Sequence, residues 1–336
     1  MDKIVECVPN FSEGRDAQKI AGIVCEIEKV KGVKLLNVES DADYNRTVVT
    51  FAGLPDAVKD AAFYAIEMAA EVIDISKHKG AHPRIGATDV CPFVPVANVT
   101  MEECVQIARA LGKEVGEWLG IPVYLYGEAA IVPGRHLLPN IRKGEYEGLP
   151  DRLKDEKWRP DYGPAEFNDN VRRTGATVIG AREFLIAYNV NLDTQDIQIA
   201  NTISGIVRAS GVVKINEKGE KVRIPGRLKF VQAMGVYLKE HNITQVSMNL
   251  LNYKVTPPHV AFEEVKKQAS VLGACVTGSE IVGLVPKEAL LAAGRFYSKE
   301  MTEERLIAMA IEKLGLSQLN KFIPEKKVIE YMLGLD

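Results

Sequence analysis

The chain has 336 residues, 46% hydrophobic and 26% charged, enough for one large or two medium domains with ordinary cores. A net charge of -3 and a pI near 6.1 give no electrostatic basis for holding a polyanion, so nucleic acid is not an expected partner. The amino-terminal residues run straight into a strand-like segment without a charged-then-apolar leader, and no apolar run reaches membrane-spanning length; a cytoplasmic protein with no membrane partner is expected.

Residues 5–8 read as a short strand ending in Pro9-Asn10-Phe11-Ser12-Glu13-Gly14-Arg15, a turn into a helix from about Asp16. Asn10 and Ser12 are placed either to cap that helix or to help bind a substrate carboxylate, because free N–H groups at a helix start attract anions. Residues 33–38 make a second strand, a polar loop from Glu39 to Tyr44 follows, and residues 47–51 and 55–70 read as a strand and a helix. This βαββα order opens a split βαβ, ferredoxin-like layer.

The stretch Gly80-Ala81-His82-Pro83-Arg84-Ile85-Gly86-Ala87-Thr88-Asp89 follows, and its glycines and proline exclude a regular helix. Pro83 pushes His82 towards extended backbone, while Gly80 and Gly86 permit backbone angles that other residues resist. A loop histidine is more often structural than catalytic. Here Arg84 and Asp89 are placed to tune and orient the imidazole, whose ordinary pKa is close to working pH, and that favours acid–base chemistry. His78 and His82 are four apart, as in some metal sites, but Gly80 and Pro83 break the helix that would align them and no further ligand pair completes the set, so no metal is expected. Cys7, Cys25, Cys91, Cys104 and Cys275 are scattered among apolar neighbours and read as reduced core residues. Residues 90–96 form an apolar strand that Pro92 and Pro95 place at an edge or a bulge.

Residues 101–118 have apolar positions at helical spacing, and residues 121–126 return as a strand. From Gly127 to Thr174 the composition turns to Pro, Gly and charge, the signature of a functional connector or linker, with residues 143–157 readable as a solvated helix face. Strands at 176–179 and 182–192 reopen the pattern, followed by a helix at 194–210, strands at 228–237 and 245–251, a helix at 259–273 and a strand at 274–282. Asn216-Glu217-Lys218-Gly219 reads as a turn, with or without a hairpin around it. The halves are alike in architecture without visible repetition. The expected fold is α/β of the layered α+β kind, two ferredoxin-like subdomains with sheets facing each other and helices outside: residues 1–174, residues 175–298, and a helical tail over 299–336.

The segments ECVPNFSEGR, NRTVVTFAG, HPRIGATDVCPFVPV, IRKGEYEGL, GATVIGAREFLIAYNVNLDT, QVSMNL and GSEIVGLVP span most of the first 290 residues. Together and in this order they resemble the glutamate formimidoyltransferase family, the formiminotransferase half of formiminotransferase-cyclodeaminase. The cyclodeaminase half has no counterpart in this chain. The resemblance implies a homodimer, a folate groove between the subdomains, and transfer of a formimino group between N-formimino-L-glutamate and tetrahydrofolate, used as co-substrate, in histidine degradation. His82 matches the family's catalytic histidine. Folate contacts carry over to Gly163, Pro164, Ala165, Glu166 and Phe167, and further to Asn168, Asp169, Asn170, Val171 and Arg172. The run from Asn168 to Thr174 is expected to be longer here than in the animal enzymes, and the groove wall to differ there. A family aspartate falls at Glu39, one methylene longer.

Those residue types suit the reaction. An amine attacks the formimino carbon, one proton leaves the attacking nitrogen, another reaches the departing one, and a single imidazole can shuttle both. Glu39 or Asp89 could stabilise a cationic amidine and orient His82. Arg46, Arg84 and Arg182 could bind substrate carboxylates through paired hydrogen bonds. Two alternatives stay open: a glutamate formyltransferase acting on 5-formyltetrahydrofolate, and a catalytically silent folate-binding protein.

Overall fold

The computed structural model describes residues 2–216, 219–298 and 302–335. The chain divides into two units, Met1–Glu183 and Phe184–Asp336.

The first unit opens with β1 (Ile4–Cys7) and β2 (Asn10–Phe11), one strand broken at Val8 and Pro9. α1 (Ala17–Glu28) is capped by Asp16, whose carboxylate accepts the N–H groups of Gln18 at 3.0 Å and Lys19 at 3.3 Å. Neither Asn10 nor Ser12 is the cap, and Glu13 takes the N–H groups of Arg15 and Asp16, so the chain's own carboxylates fill the anion site expected at this helix start. β3 (Val33–Asp41) and β4 (Arg46–Gly53) lead to α2 (Pro55–Val72), with Pro55 in the first turn where its missing N–H costs nothing. β5 (Thr88–Ala97) precedes α3 (Met101–Trp118), whose capping box joins Thr100 to Glu103 and whose buried stripe includes Cys104, Ala108, Leu111 and Val115. β6 (Val123–Gly127), α4 (Leu138–Arg142), α5 (Leu149–Arg152), α6 (Asp169–Thr174) and β7 (Thr177–Ala181) complete the unit.

The sheet runs β3-β4-(β1,β2)-β5-β7-β6. Its first four positions are antiparallel in the ferredoxin order, and β5, β7 and β6 extend it in parallel. The strand expected to reopen the second half, near residues 176–179, is therefore β7, inside the first unit's sheet. β5 is an interior strand and not an edge; the pairing shifts between Ile4 and Val5, opposite Pro95 to Ala97, which is the bulge its prolines foretold.

α1, α2 and α3 cover one face of the sheet, packing Ile23, Ile66 and Leu111 against Cys7, Val49, Phe51 and Phe93. Opposite partners in a ladder point to the same side. Glu39 pairs with Val48, and Asn10 pairs with both Val48 and Val90, so these residues share the face away from Val49 and Phe51, and Arg46, two before Val48, joins them. Part of that face is closed by the connector, where Ile141, Leu149, Leu153 and Val171 pack on Val90, Tyr124, Tyr126 and Val178. The connector is thus a folded layer of this unit, with only short helices where a solvated helix face was expected, because its apolar residues find the sheet.

The second unit repeats the scheme. β8 (Ile186–Leu192), α7 (Ile197–Val207), a hairpin of β9 (Val212–Ile215) and β10 (Lys221–Ile224), β11 (Val231–Leu238), β12 (Ile243–Leu250), α8 (Pro258–Val271) and β13 (Val276–Val282) give an antiparallel sheet ordered β11-β12-β8-β13. Asn216 and Gly219 bracket the hairpin turn; Glu217 and Lys218 lie outside the described residues. α9 (Lys287–Tyr297) and α10 (Glu303–Lys313) touch at Gly294, where a Cβ would lie 2.2 Å from the Leu306 carbonyl oxygen. α11 (Pro324–Lys327) and α12 (Ile329–Leu333) return to the unit through Val285–Val328 pairing. Both units are α+β, each with one helix-covered sheet. Three of the cysteines are buried, but Cys25 and Cys275 are exposed, one on the outer side of α1 and one in the turn before β13. Among the described residues no helix is long and apolar enough to cross a membrane.

Candidate active site

The loop of residues 78–87 is pinned by Asn45. Its side chain accepts the Gly14 N–H at 2.9 Å and donates to the Lys79 carbonyl at 3.1 Å, and its own carbonyl faces His78 Nε2 at 2.8 Å. Asn45 has φ of 49°, a left-handed conformation that asparagine tolerates better than most residues. Gly80 and Gly86 do not have the unusual backbone angles expected of them. They allow close approach: a Cβ on Gly80 would lie 2.3 Å from the Tyr44 carbonyl oxygen, and one on Gly86 2.1 Å from that of Ala176. Three loops, those carrying Gly14, Tyr44 and His82, are drawn together in this way.

His82 is 9% exposed and, among the described residues, its ring nitrogens make no hydrogen bond; the Tyr44 ring meets it edge-on at 6.5 Å. Burial first, then the guanidinium groups of Arg142 and Arg46, the His78 imidazole and the Arg84 guanidinium push its pKa down to about 3. The imidazole is therefore neutral at working pH. Neither Glu39 nor Asp89 is hydrogen-bonded to it. Asp89 is fully buried, accepts the Ile85 N–H at 3.1 Å and forms an ion pair with Arg142 Nη2. Burial pushes its carboxyl above the ordinary range and Arg142 opposes that. Glu39 is exposed on β3.

The arginines divide sharply. Arg84 is committed to protein groups at all three nitrogens: Nε donates to His78 Nδ1 at 3.1 Å, Nη1 to Glu145 at 3.0 Å and Glu147 at 2.9 Å, and Nη2 to Glu147 at 2.7 Å. The Arg46 side chain has no hydrogen bond or ion pair among the described residues, only the Tyr44 ring 5.8 Å away, and its buried Nε lacks an acceptor. Desolvation lowers its pKa, with Arg142 adding to the effect and Asp41 and Asp89 opposing it. Arg182 is elsewhere: its N–H bonds the Phe93 carbonyl, four residues beyond Asp89 and so about 13 Å along the strand at 3.3 Å per residue. Ser12 gives its hydroxyl proton to the Gly86 carbonyl at 2.7 Å and so braces the loop, whereas the Asn10 amide donates to Val8 at 3.2 Å, on its own strand.

Residues 163–172 run past the end of α3. Gly163 (φ 80°) would clash through a Cβ with the Ile121 carbonyl oxygen at 2.2 Å, Asn168 caps α6, and the Asn170 amide bonds the carbonyls of Leu119 and Gly120 at 3.0 Å. Val171 is buried in the connector core; Ala165, Glu166, Asp169 and Arg172 are exposed and Pro164 and Phe167 half-buried. Tyr146 ties this segment to the histidine loop: its N–H donates to the Arg84 carbonyl at 2.8 Å, its hydroxyl to the Arg172 carbonyl at 2.7 Å, and its ring lies 6.3 Å from Phe167. Sequence reasoning missed Arg142, Tyr44 and Tyr146 as neighbours of the site, although Arg142 and Tyr146 fall inside the IRKGEYEGL segment that carried the resemblance. A cavity of about 530 Å³ in the connector, lined by Pro133, Arg135, Lys143 and Trp158 among others, contains none of the expected site residues. Among the described residues no group of three or more His, Cys, Asp or Glu could hold a metal ion.

Two family models match. Residues 4–182 match the N-terminal subdomain of the formiminotransferase domain and residues 187–334 match the formiminotransferase domain. The chain is 49% identical to formimidoyltransferase-cyclodeaminase of Gallus gallus, over 99% of this chain and 60% of that protein. It is 48% identical to glutamate formimidoyltransferase of Thermoplasma acidophilum, over 88% of this chain and 92% of the relative, and 43% identical to that of Streptococcus pyogenes, over 88% and 94%. The chain thus spans about three-fifths of the length of the cyclodeaminase relatives it matches.

Proposed function

Because this chain belongs to the formiminotransferase family, we propose that it is a glutamate formimidoyltransferase, transferring the formimino group between N-formimino-L-glutamate and tetrahydrofolate. The observation that carries this reading is a neutral imidazole on a braced loop beside an arginine with no partner: a base next to an anchor for a carboxylate. The folate N5 attacks the formimino carbon and gives its proton to His82. The tetrahedral intermediate collapses by breaking the bond to the glutamate nitrogen, which takes that proton from His82. The products are 5-formiminotetrahydrofolate and L-glutamate, and the imidazole ends as it began.

Arg46 binds a carboxylate of the donor, and Asn10 and Glu39 extend the same sheet face beside it, Glu39 supplying the negative charge that a cationic amidine needs. The segment from Gly163 to Arg172 supplies the folate wall, supported by its tie through Tyr146 to the histidine loop. Arg84 and Asp89 hold the loop. The protein acts in histidine breakdown, in the cytoplasm, as a homodimer, a reading that rests on its family. Incubation with formiminoglutamate and tetrahydrofolate, and separately with formylglutamate, tests the proposal by identifying the folate product. Formimino transfer is expected. Formyl transfer alone would make it a formyltransferase, and binding of folate without either product would make it a binding protein.

A further inference from the structure

Two guanidinium groups near His82 each keep a buried Nε–H without an acceptor: that of Arg46 on β4 and that of Arg142 at the end of α4. Arg142 is close enough for its charge to act on Arg46, and Asp89, fully buried, acts on Arg46 and pairs with Arg142. Asp41 also acts on Arg46, but one of its oxygens accepts the N–H groups of Asp43 and Tyr44 in the turn. Arg84 is occupied by Glu145 and Glu147. A buried donor without an acceptor costs free energy, and two on adjacent like charges cost more unless an anion completes the set.

We propose that Arg142 is a donor-binding residue that forms, with Arg46, a two-guanidinium clamp on one carboxylate of the glutamate-derived donor, while Asp89 positions Arg142. This rests on the reading of the donor given above. The clamp sets which end of the donor enters: two fixed positive charges repel a protonated amidine, so the carboxylate takes this corner and the formimino carbon lies away from it. The Nη2 of Arg142 is held by Asp89, which fixes the plane of the guanidinium and leaves its Nε–H to the ligand.

The test uses the full chain, with L-glutamate binding measured by calorimetry and steady-state kinetics measured for each substrate. Arg142→Met should weaken L-glutamate binding and raise the donor KM by about 10- to 100-fold, the scale of one lost charged hydrogen bond, with the tetrahydrofolate KM within about twofold. Asp89→Asn, which leaves the guanidinium in place, should do less. The double variant Asp89→Asn with Arg142→Met leaves no unpaired charge, and it should bind L-glutamate as poorly as Arg142→Met. Recovery of wild-type L-glutamate binding in the double variant would mean that Arg142 serves only to neutralise Asp89 and would overturn the proposal, as would equal loss for both substrates. If Arg142→Met fails to fold, Arg142→Lys keeps the charge but not the second donor edge, and wild-type L-glutamate binding in it would overturn the proposal. Wild-type enzyme that turns over formiminoglutamate while every variant binds L-glutamate normally sinks this inference alone; wild-type enzyme that neither turns over formiminoglutamate nor binds L-glutamate sinks the parent reading.

Discussion

Arg84 donates its Nε–H to Nδ1 of His78 at 3.1 Å, which makes that nitrogen an acceptor and leaves the proton on Nε2, where it is donated to the Asn45 carbonyl. His78 is thereby a neutral strut between two loops, its pKa lowered mainly by burial. Arg84 sits on the same motif as His82, yet each of its three nitrogens donates to a protein group. Arg84→Met should therefore cost stability, about 1–2 kcal/mol because Glu147 is 64% exposed and the pair is screened, and should leave the donor KM nearly unchanged. Arg46→Met should do the reverse, raising the donor KM about 10-fold or more with little loss of stability. Denaturant melts paired with donor titrations separate the two.

His82→Ala should lower kcat by roughly a hundredfold or more, the scale of a lost proton shuttle, while tetrahydrofolate affinity changes little. Equal loss of folate binding and turnover would make His82 a binding residue.

The depressed pKa of His82 carries a stability term of definite sign. The folded protein binds this proton at about 3 and an unfolded chain at about 6.5, so the contribution is complete above about 6.5 and is lost as pH falls from there towards 3. Replacing His82 with Gln should flatten that part of the pH–stability curve relative to wild type. In NMR titrations the free protein's His82 should stay neutral down to pH 5. L-Glutamate should raise its pKa by partly cancelling the charges of Arg142 on α4 and Arg46 on β4; His78 and Arg84 on the loop, Asp89 on β5 and Tyr44 beside the ring stay as they are. No change on adding L-glutamate would mean that the carboxylate docks elsewhere.

Gly80→Ala should destabilise the protein by roughly 1–3 kcal/mol, because the new Cβ would be forced against backbone and not against a flexible side-chain end. Turnover should fall with it as the His82 loop moves off the Tyr44 loop. Unchanged melting and unchanged turnover would show that the two loops are not in contact in solution.

A fragment of residues 1–183 should fold alone, and one of residues 1–174 should not. β7 lies between β5 and β6, and its Val178, Ile179 and Ala181 belong to the first unit's cores, so the shorter fragment loses both the ladder and the packing that join β6 to the rest. Far-UV circular dichroism and thermal melts of the two fragments distinguish the cases. Equal cooperative melting of both would make β7 dispensable to the unit.

Much of this protein was determined by the sequence alone, for reasons that are local. The spacing of Cys104, Ala108, Leu111 and Val115 made α3 legible, the Pro83 after His82 marked a stiff loop, and the ordered segments from Glu6 to Pro286 marked the family. Helical periodicity and proline stereochemistry act within a few residues, so they survive without knowledge of the fold. What only the tertiary structure decided is how charges are shared. Arg46, Arg84 and Arg142 are equivalent as letters; one is left bare, one is committed to Glu145 and Glu147, and one is brought to Asp89 across a separation of 53 residues. The assignment of Thr177–Ala181 to the first sheet and the close approaches at Gly80 and Gly86 are of the same kind. Pairing of a guanidinium with a carboxylate, or of a strand with a strand, depends on a distance that the whole core sets, and nothing within a few residues of Arg142 encodes its distance to Asp89.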